Sequence, residues 1–316
     1  MRVIRQSAEM LQTPKTPSER VSHVELCGRT CYKSEDKITA DSGRKFIKNL
    51  IRNGHESVIE HARLIVRIDG ILSKVCTLDL AWLAECGWRS FMTMTYWDGG
   101  LLLSGNMRAW RDYAIQSRQI HKYNLEPIQA VINENEDFFP EFDPQPIGRP
   151  SFEVDPKVID DPAIRELHEA FTLRFITDRG ISHEIVRHRP ASYSQESTRY
   201  CNYSQGKFGG ELTFIEPISI DRNSVSWASW ELLHRQAEAA YFSLLGQGVK
   251  PQDARDVLPT DLKTELIMTA TADEWKHFLK LRTSEAAHPK IRELATQAKA
   301  LLREQDPEVF YEWGEI

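Results

Sequence analysis

The chain has 316 residues, of which 41% are hydrophobic and 27% charged, with a net charge of −6. That length holds one large α/β domain or two small ones, and the composition is that of a globular protein rather than a disordered or fibrous one. The acidic balance argues against nonspecific nucleic-acid binding, which needs a basic excess.

The first residues, Met1-Arg2-Val3-Ile4-Arg5-Gln6, carry charges and no apolar run of signal-peptide length. Ser18 to Tyr32 reads as a helix. Asp41 to Asn53 reads as a second, with Phe46, Ile47, Leu50 and Ile51 on one face and Gly54 as its stop. Ser57 and Glu60 then have capping-box spacing and predict a helix start. Leu64, Val66 and Ile68 alternate and predict a strand over Ala62 to Leu72. Beyond it Trp82, Trp88, Trp97 and Trp110 imply packed structure, and Asn106 caps a helix predicted to run to Tyr123. Prolines at 140, 144, 146, 150, 156 and 162 mark a long irregular connection, with no convincing core closed before it.

Phe171 to Ile176 reads as a strand, Asp178-Arg179-Gly180 as a turn, and Ser182 as the cap of a short helix running to His188. Pro190 pushes Arg189 into extended geometry. Trp227 to Leu245, Gln252 to Leu258 (with Pro251 in its first turn), Asp273 to Arg282 and Pro289 to Glu304 read as helices. Thr264 to Thr271 reads as a strand. No stretch approaches the roughly 18 apolar residues of a membrane span. The odd number of cysteines, Cys27, Cys31, Cys76, Cys86 and Cys201, argues for free thiols in a reducing compartment, and the absence of a C-x-x-C pair argues against structural zinc. The expected location is the cytoplasm.

Chemistry concentrates between Arg174 and Lys207, where Arg174, Arg179, Arg187, Arg189 and Arg199 gather. Guanidinium forks match phosphate oxygens and stay charged, so the cluster suits a phosphorylated ligand. The bland alternative is a solvated face of ion pairs. The run Ser192 to Tyr200 is rich in hydrogen-bonding groups and does not resemble a core strand. His183 and His188 are five apart and fall roughly 140° apart on a helix, so they do not form a zinc pair. No G-x-G-x-x-G follows a strand, and Gly206 to Gly210 has the wrong order for a phosphate-binding loop.

Arg187-His188-Arg189, followed after seven residues by Ser197 and then by Arg199 and Tyr200, resembles the signature of the flavin-dependent thymidylate synthases. His55 to His61 resembles the family's N-terminal flavin segment, Ala254 to Pro259 its second nucleotide segment, and His277 to Arg282 its third, all in family order. The resemblance implies an α/β (α+β) fold with a central mixed sheet flanked by helices, the thymidylate synthase-complementing protein-like fold. It implies one domain over residues 1–316 with an insertion at about 70–165. It also implies conversion of dUMP to dTMP with methylenetetrahydrofolate as carbon donor and NADPH-reduced FAD as hydride source, by a homotetramer with shared active sites.

Carried onto this sequence, the resemblance assigns FAD contacts to Ser57, Arg187, His188, Arg189, Gln195 and His277. It assigns dUMP contacts to Glu184, Arg187, Gln195, Glu196, Ser197, Thr198, Arg199, Arg255 and Arg282, with Arg282 catalytic. No metal, nucleic acid or membrane is implied. Glu184, Ser194, Thr271 and Asp273 depart from residues common in the family, and an acid at Asp273 does not suit a pyrophosphate. His55 and His61 read equally as capping and core histidines or as flavin contacts. Cys201 reads as a buried structural thiol. Two rivals stand beside the enzyme: a nucleotide-binding homologue without catalysis, and a binding module built on the Trp-rich insertion.

Overall fold

The computed structural model describes residues 1–69, 92–120, 126–146, 152–156, 159–204 and 206–311. Trp82, Trp88, Cys76, Cys86, Pro150 and the expected ends at Leu72 and Tyr123 lie outside them. The strands are β1 (Arg2–Ile4), β2 (Ser7–Leu11), β3 (Arg63–Asp69), β4 (Met92–Trp97), β5 (Gly100–Asn106), β6 (Phe152–Val154), β7 (Ala170–Asp178), β8 (Ser192–Gln195), β9 (Thr213–Ile215) and β10 (Lys263–Thr271). They form two four-stranded sheets, β2-β7-β10-β8 and β4-β5-β3-β6, and a β1-β9 pair. Helices flank the sheets, as expected of an α/β chain. Mixed pairing within one sheet is not what forms among the described residues, however: both four-stranded sheets are antiparallel throughout, and the parallel pairing there is confined to β1 and β9.

Strand alternation explains how the first sheet is covered on both faces. In β7, Phe171, Leu173 and Phe175 pair across from Ala270, Met268 and Leu266 of β10, so all six side chains share one face. That face packs on Trp275, Phe278 and Leu279 of the Ala272–Arg282 helix and on Ile291, Leu294, Ala298 and Leu302 of the Pro289–Gln305 helix. Each such fully buried side chain contributes roughly 1.5–3 kcal/mol. The opposite face carries Thr172, Ile267 and Thr269, and the Pro17–Tyr32 helix covers it with His23 and Cys27. That helix begins with a complete capping box between Thr16 and Glu19.

The second sheet closes a separate core. Leu64, Val66 and Ile68 face it from β3, and Leu101 and Leu103 from β5. They meet Val24 of the first helix, Ile47 and Leu50 of the Ser42–Arg52 helix, and Trp110, Tyr113, Ile128 and Val131 further along. The reading that nothing before the prolines closes a core is therefore wrong. β4 and β5, which the sequence analysis did not find, complete the sheet on which the N-terminal helices pack. β6 returns from the proline-rich stretch to pair Val154 with Val66. Asn106 accepts from the Ala109 amide at 2.9 Å, as its capping role requires. Among the described residues no helix is long and apolar enough to cross a membrane.

Candidate active site

β7 delivers the chain into the Arg179–Ile185 helix. Asp178, not Ser182, is its cap, accepting from the Ile181 amide at 2.7 Å, so the expected turn at 178–180 is the helix start. Lys290 holds the other Asp178 oxygen at 2.6 Å. The helix ends before Pro190, as proline sterics require. The Tyr193 hydroxyl lies 2.6 Å from the His188 carbonyl, to which it donates, and 3.1 Å from that of Ile185. The Arg187-His188-Arg189 segment is thus pinned through the His188 carbonyl.

Arg282, at the end of the Ala272–Arg282 helix, reaches the same place. Its Nε donates to His188 Nε2 at 2.9 Å, its Nη1 to Glu184 Oε2 at 3.1 Å and its Nη2 to the Glu184 carbonyl at 3.0 Å. Burial, with the Arg282 charge and His277, pulls the His188 imidazole down to about 4. It is therefore neutral at pH 7, and its Nε2 accepts. His277 stands edge-on to it, with ring centroids 5.9 Å apart. Arg187, Arg189, His277 and Arg282 line a cavity of about 750 Å³. Arg187 and Arg189 are exposed, and among the described residues neither side chain has a hydrogen bond or an ion pair. Two unspent guanidinium groups beside a neutral imidazole fit an anionic, phosphate-bearing ligand.

The remaining expected residues form a second group. β8 is a strand after all, because its polar residues alternate between two sites rather than lining one core. Tyr193 and Gln195 point to the Arg179–Ile185 helix, where Gln195 donates to Ser182 at 2.8 Å. Ser192 and Ser194 point the other way. Glu196 is buried and committed internally, accepting from Lys263 at 2.8 Å and from the Tyr203 hydroxyl at 3.1 Å. Ser197 anchors the following turn: its amide donates to the Cys31 carbonyl at 3.0 Å, and its hydroxyl accepts from the Arg199 amide at 3.3 Å. Thr198 is buried and meets Arg255 at 3.4 Å. The exposed Arg199 lies over the Tyr200 ring at 5.3 Å.

A cavity of about 650 Å³ opens beside Glu196, lined also by Lys33, Lys263 and Glu265. It shares no lining residue with the Arg282 cavity. Burial drives the Glu265 carboxyl up, but Lys263 and Lys33 outweigh it and hold it at about 2. This Lys33–Glu265–Lys263–Glu196 chain was not expected from the sequence. The available signal was Lys263 and Glu265, two apart and hence on one face of a predicted strand.

Ser57 joins neither group among the described residues. It is exposed on a 3₁₀ turn, Glu56–His61, whose cap is His55 without a side-chain hydrogen bond, so the capping-box expectation fails. His61 is a core residue: its nitrogens lie 2.7 Å from Thr269 Oγ1 and 3.0 Å from Ser194 Oγ. Cys201 is buried, as expected, and no disulfide joins the described cysteines.

Known proteins match the same framework. A "Flavin-dependent thymidylate synthase" of Thermococcus onnurineus is 38% identical over 117 residues, 37% of this chain and 47% of that protein. One of Geobacter sulfurreducens is 35% identical over 148 residues, 46% of this chain and 62% of that protein. The chain thus spans about half to three fifths of the length of these relatives. A UMP/dUMP methylase, PolB from Streptomyces cacaoi bound with 5-Br dUMP, superimposes over 98% of this chain and 96% of its own at 15% identity; its TM-score of 0.43 is too low to carry an argument. The profile of the family described as thymidylate synthase complementing protein matches residues 14–80 and 167–308. Those two blocks take in both the Glu56–His61 turn and everything from the Arg179–Ile185 helix to Arg282, and the chain belongs to that family.

Proposed function

We propose that the protein is a flavin-dependent thymidylate synthase that converts dUMP to dTMP in the cytoplasm, with methylenetetrahydrofolate as carbon donor and FAD reduced by NADPH. The supporting observation is the cleft in which Arg187 and Arg189 stand unpaired beside a neutral His188 and a fixed Arg282. Arg187 and Arg189 bind phosphate groups of the nucleotide ligands, and His188 and His277 lie along the flavin. When bound, reduced flavin supplies the hydride that completes the methyl group. Methylation at C5 of uracil builds negative charge toward O4 and N3, and Arg282 is the cation placed to hold it. Three of its five N–H donors are spent on Glu184 and His188. That leaves two for a substrate oxygen and fixes the plane of the group beforehand.

Gln195, Ser197, Thr198, Arg199 and Arg255 bind dUMP, and Ser57 touches flavin, in a site completed by a second copy of the chain. The separation of the two cavities within one chain supports this reading, as does the absence of Ser57 from the lining of both. A homotetramer follows, each chain a single domain with an insertion at about 70–165. A nucleotide-binding homologue without synthase activity is the second reading, favoured by the Glu184 carboxylate that offsets the Arg282 charge.

Purified protein should be yellow, bleach with NADPH and release tritium from 5-labelled dUMP only when methylenetetrahydrofolate is present. A colourless protein that takes up no FAD defeats the proposal. Uptake of FAD and dUMP without tritium release selects the second reading.

A further inference from the structure

A cavity of about 850 Å³ opens where the two four-stranded sheets meet, and it shares no lining residue with the Glu196 and Arg282 cavities. Its walls include Thr13 and Lys15 after β2, Arg63 and Leu64 at the start of β3, Phe171 at the start of β7, and His168 at the end of the Pro162–His168 helix. Asp155, Ile159 and Arg165 line it from the stretch between the two blocks matched by the family profile, so the profile describes only part of this wall. The volume lies within the roughly 300–1,000 Å³ of small-molecule sites, and junctions between packed units are where such sites gather.

Among the described residues nine buried side-chain atoms have no hydrogen-bond partner, and four of them, Thr13 Oγ1, Arg63 Nε, Arg165 Nε and His168 Nε2, belong to residues that line this cavity. Buried polar atoms are nearly always satisfied, so the convergence marks a place where a ligand supplies the missing partners. His168 is fully buried. Burial, with the Arg63 charge, pulls its imidazole down to about 4, so it is neutral at pH 7. Ser104 Oγ lies 2.9 Å from its Nδ1 and accepts from Arg63 Nη2 at 3.2 Å. A guanidinium accepts nothing, so the Ser104 proton is used only if it goes to Nδ1, which leaves Nε2 carrying the imidazole proton. Arg63, Arg165 and His168 therefore all present N–H donors in want of an acceptor. Next to His168 stands the converse group. The half-buried Glu169 carboxylate has no hydrogen bond or ion pair among the described residues, and burial raises it against the pull of Lys15. The other acids are committed, Asp155 to Arg20, and Asp306 and Glu308 to Arg165. Leu64, Ile159 and Phe171 supply apolar surface.

We propose that this cavity binds a zwitterionic α-amino acid with a large apolar side chain: its carboxylate accepts from Arg63, His168 and Thr13, its ammonium donates to Glu169, and its side chain lies on Leu64, Ile159 and Phe171. A simple anion would meet the Glu169 carboxylate and a simple cation the Arg63 guanidinium, whereas a molecule carrying both charges answers each. A bare hydrocarbon would leave the buried donors unsatisfied, which is costly. The site is independent of the synthase reading, because no residue that lines the Arg282 cavity takes part.

Calorimetry on the full-length protein at pH 7 with phenylalanine, phenylalaninamide, N-acetylphenylalanine and 3-phenylpropionate tests it. Phenylalanine should bind about tenfold or more tighter than each analogue, since each lacks one of the two charges. Glu169→Gln should weaken phenylalanine about tenfold and leave N-acetylphenylalanine and 3-phenylpropionate within about twofold. His168→Phe should weaken phenylalanine about tenfold and leave phenylalaninamide within about twofold. Ile159→Trp, which fills the cavity, should abolish phenylalanine binding. If circular dichroism shows that His168→Phe does not fold, the half-buried Glu169→Gln still reads the charge match. Absence of saturable phenylalanine binding by about 10 mM overturns the proposal. So does equal affinity for phenylalanine and 3-phenylpropionate, or phenylalanine binding that neither Glu169→Gln nor Ile159→Trp alters.

Discussion

Glu184 and His188 hold Arg282 through three hydrogen bonds, and at this scale the chemistry turns on where protons and charge sit. A neutral His188 that accepts from Arg282 leaves the guanidinium as the cation of the pair. Removing it should strip charge stabilisation from the transition state while leaving the exposed Arg187 and Arg189 in place. Arg282→Ala is expected to lower turnover of dUMP by about 10²–10³, the loss typical of a preorganised charge stabiliser. Flavin absorbance should persist, and tritium release at saturating dUMP reads the loss; wild-type release would remove Arg282 from the chemistry. Glu196 makes the opposite point. Its residue type suits a ligand contact, but Lys263 and Tyr203 consume it, so its contribution is to fix the loop that carries Ser197 to Arg199.

Among the elements, β8 links the two cavities. Its alternation sends Tyr193 and Gln195 toward the Arg179–Ile185 helix, and Ser194 toward His61 and the opposite face of the sheet. The Tyr193 hydroxyl is one of the contacts that hold the Arg187–Arg189 segment down. Tyr193→Phe should cost about 0.5–1.5 kcal/mol in urea unfolding, the net worth of such a hydrogen bond. It should also weaken flavin binding, because the arginines lose their fixed backbone. Unchanged flavin affinity in a variant destabilised by that amount would show that the pin serves stability alone. The sequence had shown this stretch as donor-rich but not as a strand. Four residues pairing at a sheet edge need no apolar alternation when both faces meet polar partners, as Gln195 meets Ser182 and Ser194 meets His61.

Across the whole molecule, buried histidines couple the fold to pH. Burial lowers His23 to about 4, His61 to about 3 and His168 to about 4, and His188 is held near 4 in the cleft. Each has an ordinary value of 6.5 in the unfolded chain. As pH falls through 6.5 the unfolded state takes up protons that the folded state refuses until near pH 4 or below, so stability drops across that window. Above pH 7 both states hold these groups neutral and the contribution is complete. Urea midpoints should therefore be flat from about pH 7 to 8 and fall steadily toward pH 4. His61→Asn should give a lower but flatter profile, and a wild-type midpoint that does not change between pH 7 and 4 would contradict the linkage.

The long, strongly patterned elements were legible from residues alone: the Ser42–Arg52 helix from its apolar stripe, β10 as the segment Thr264 to Thr271, and the end of the Arg179–Ile185 helix before Pro190 from proline sterics. Local chemistry suffices there, because the period of the side chains selects the backbone. The arginine-rich stretch was legible as a sequence feature, but folding divides it: Arg187 and Arg189 line one cavity, Arg174 pairs with Glu9, and Arg199 lies over Tyr200. Pairings between distant segments were not legible. β5 and β8 pair with strands tens of residues away, Lys290 holds the second Asp178 oxygen from a distant helix, and Lys263 pairs with Glu196. Residue types and their spacing decided what chemistry the chain could carry. Which of those groups stand free to meet a ligand, and which neutralise one another, was decided only when tertiary contacts set the distances between them.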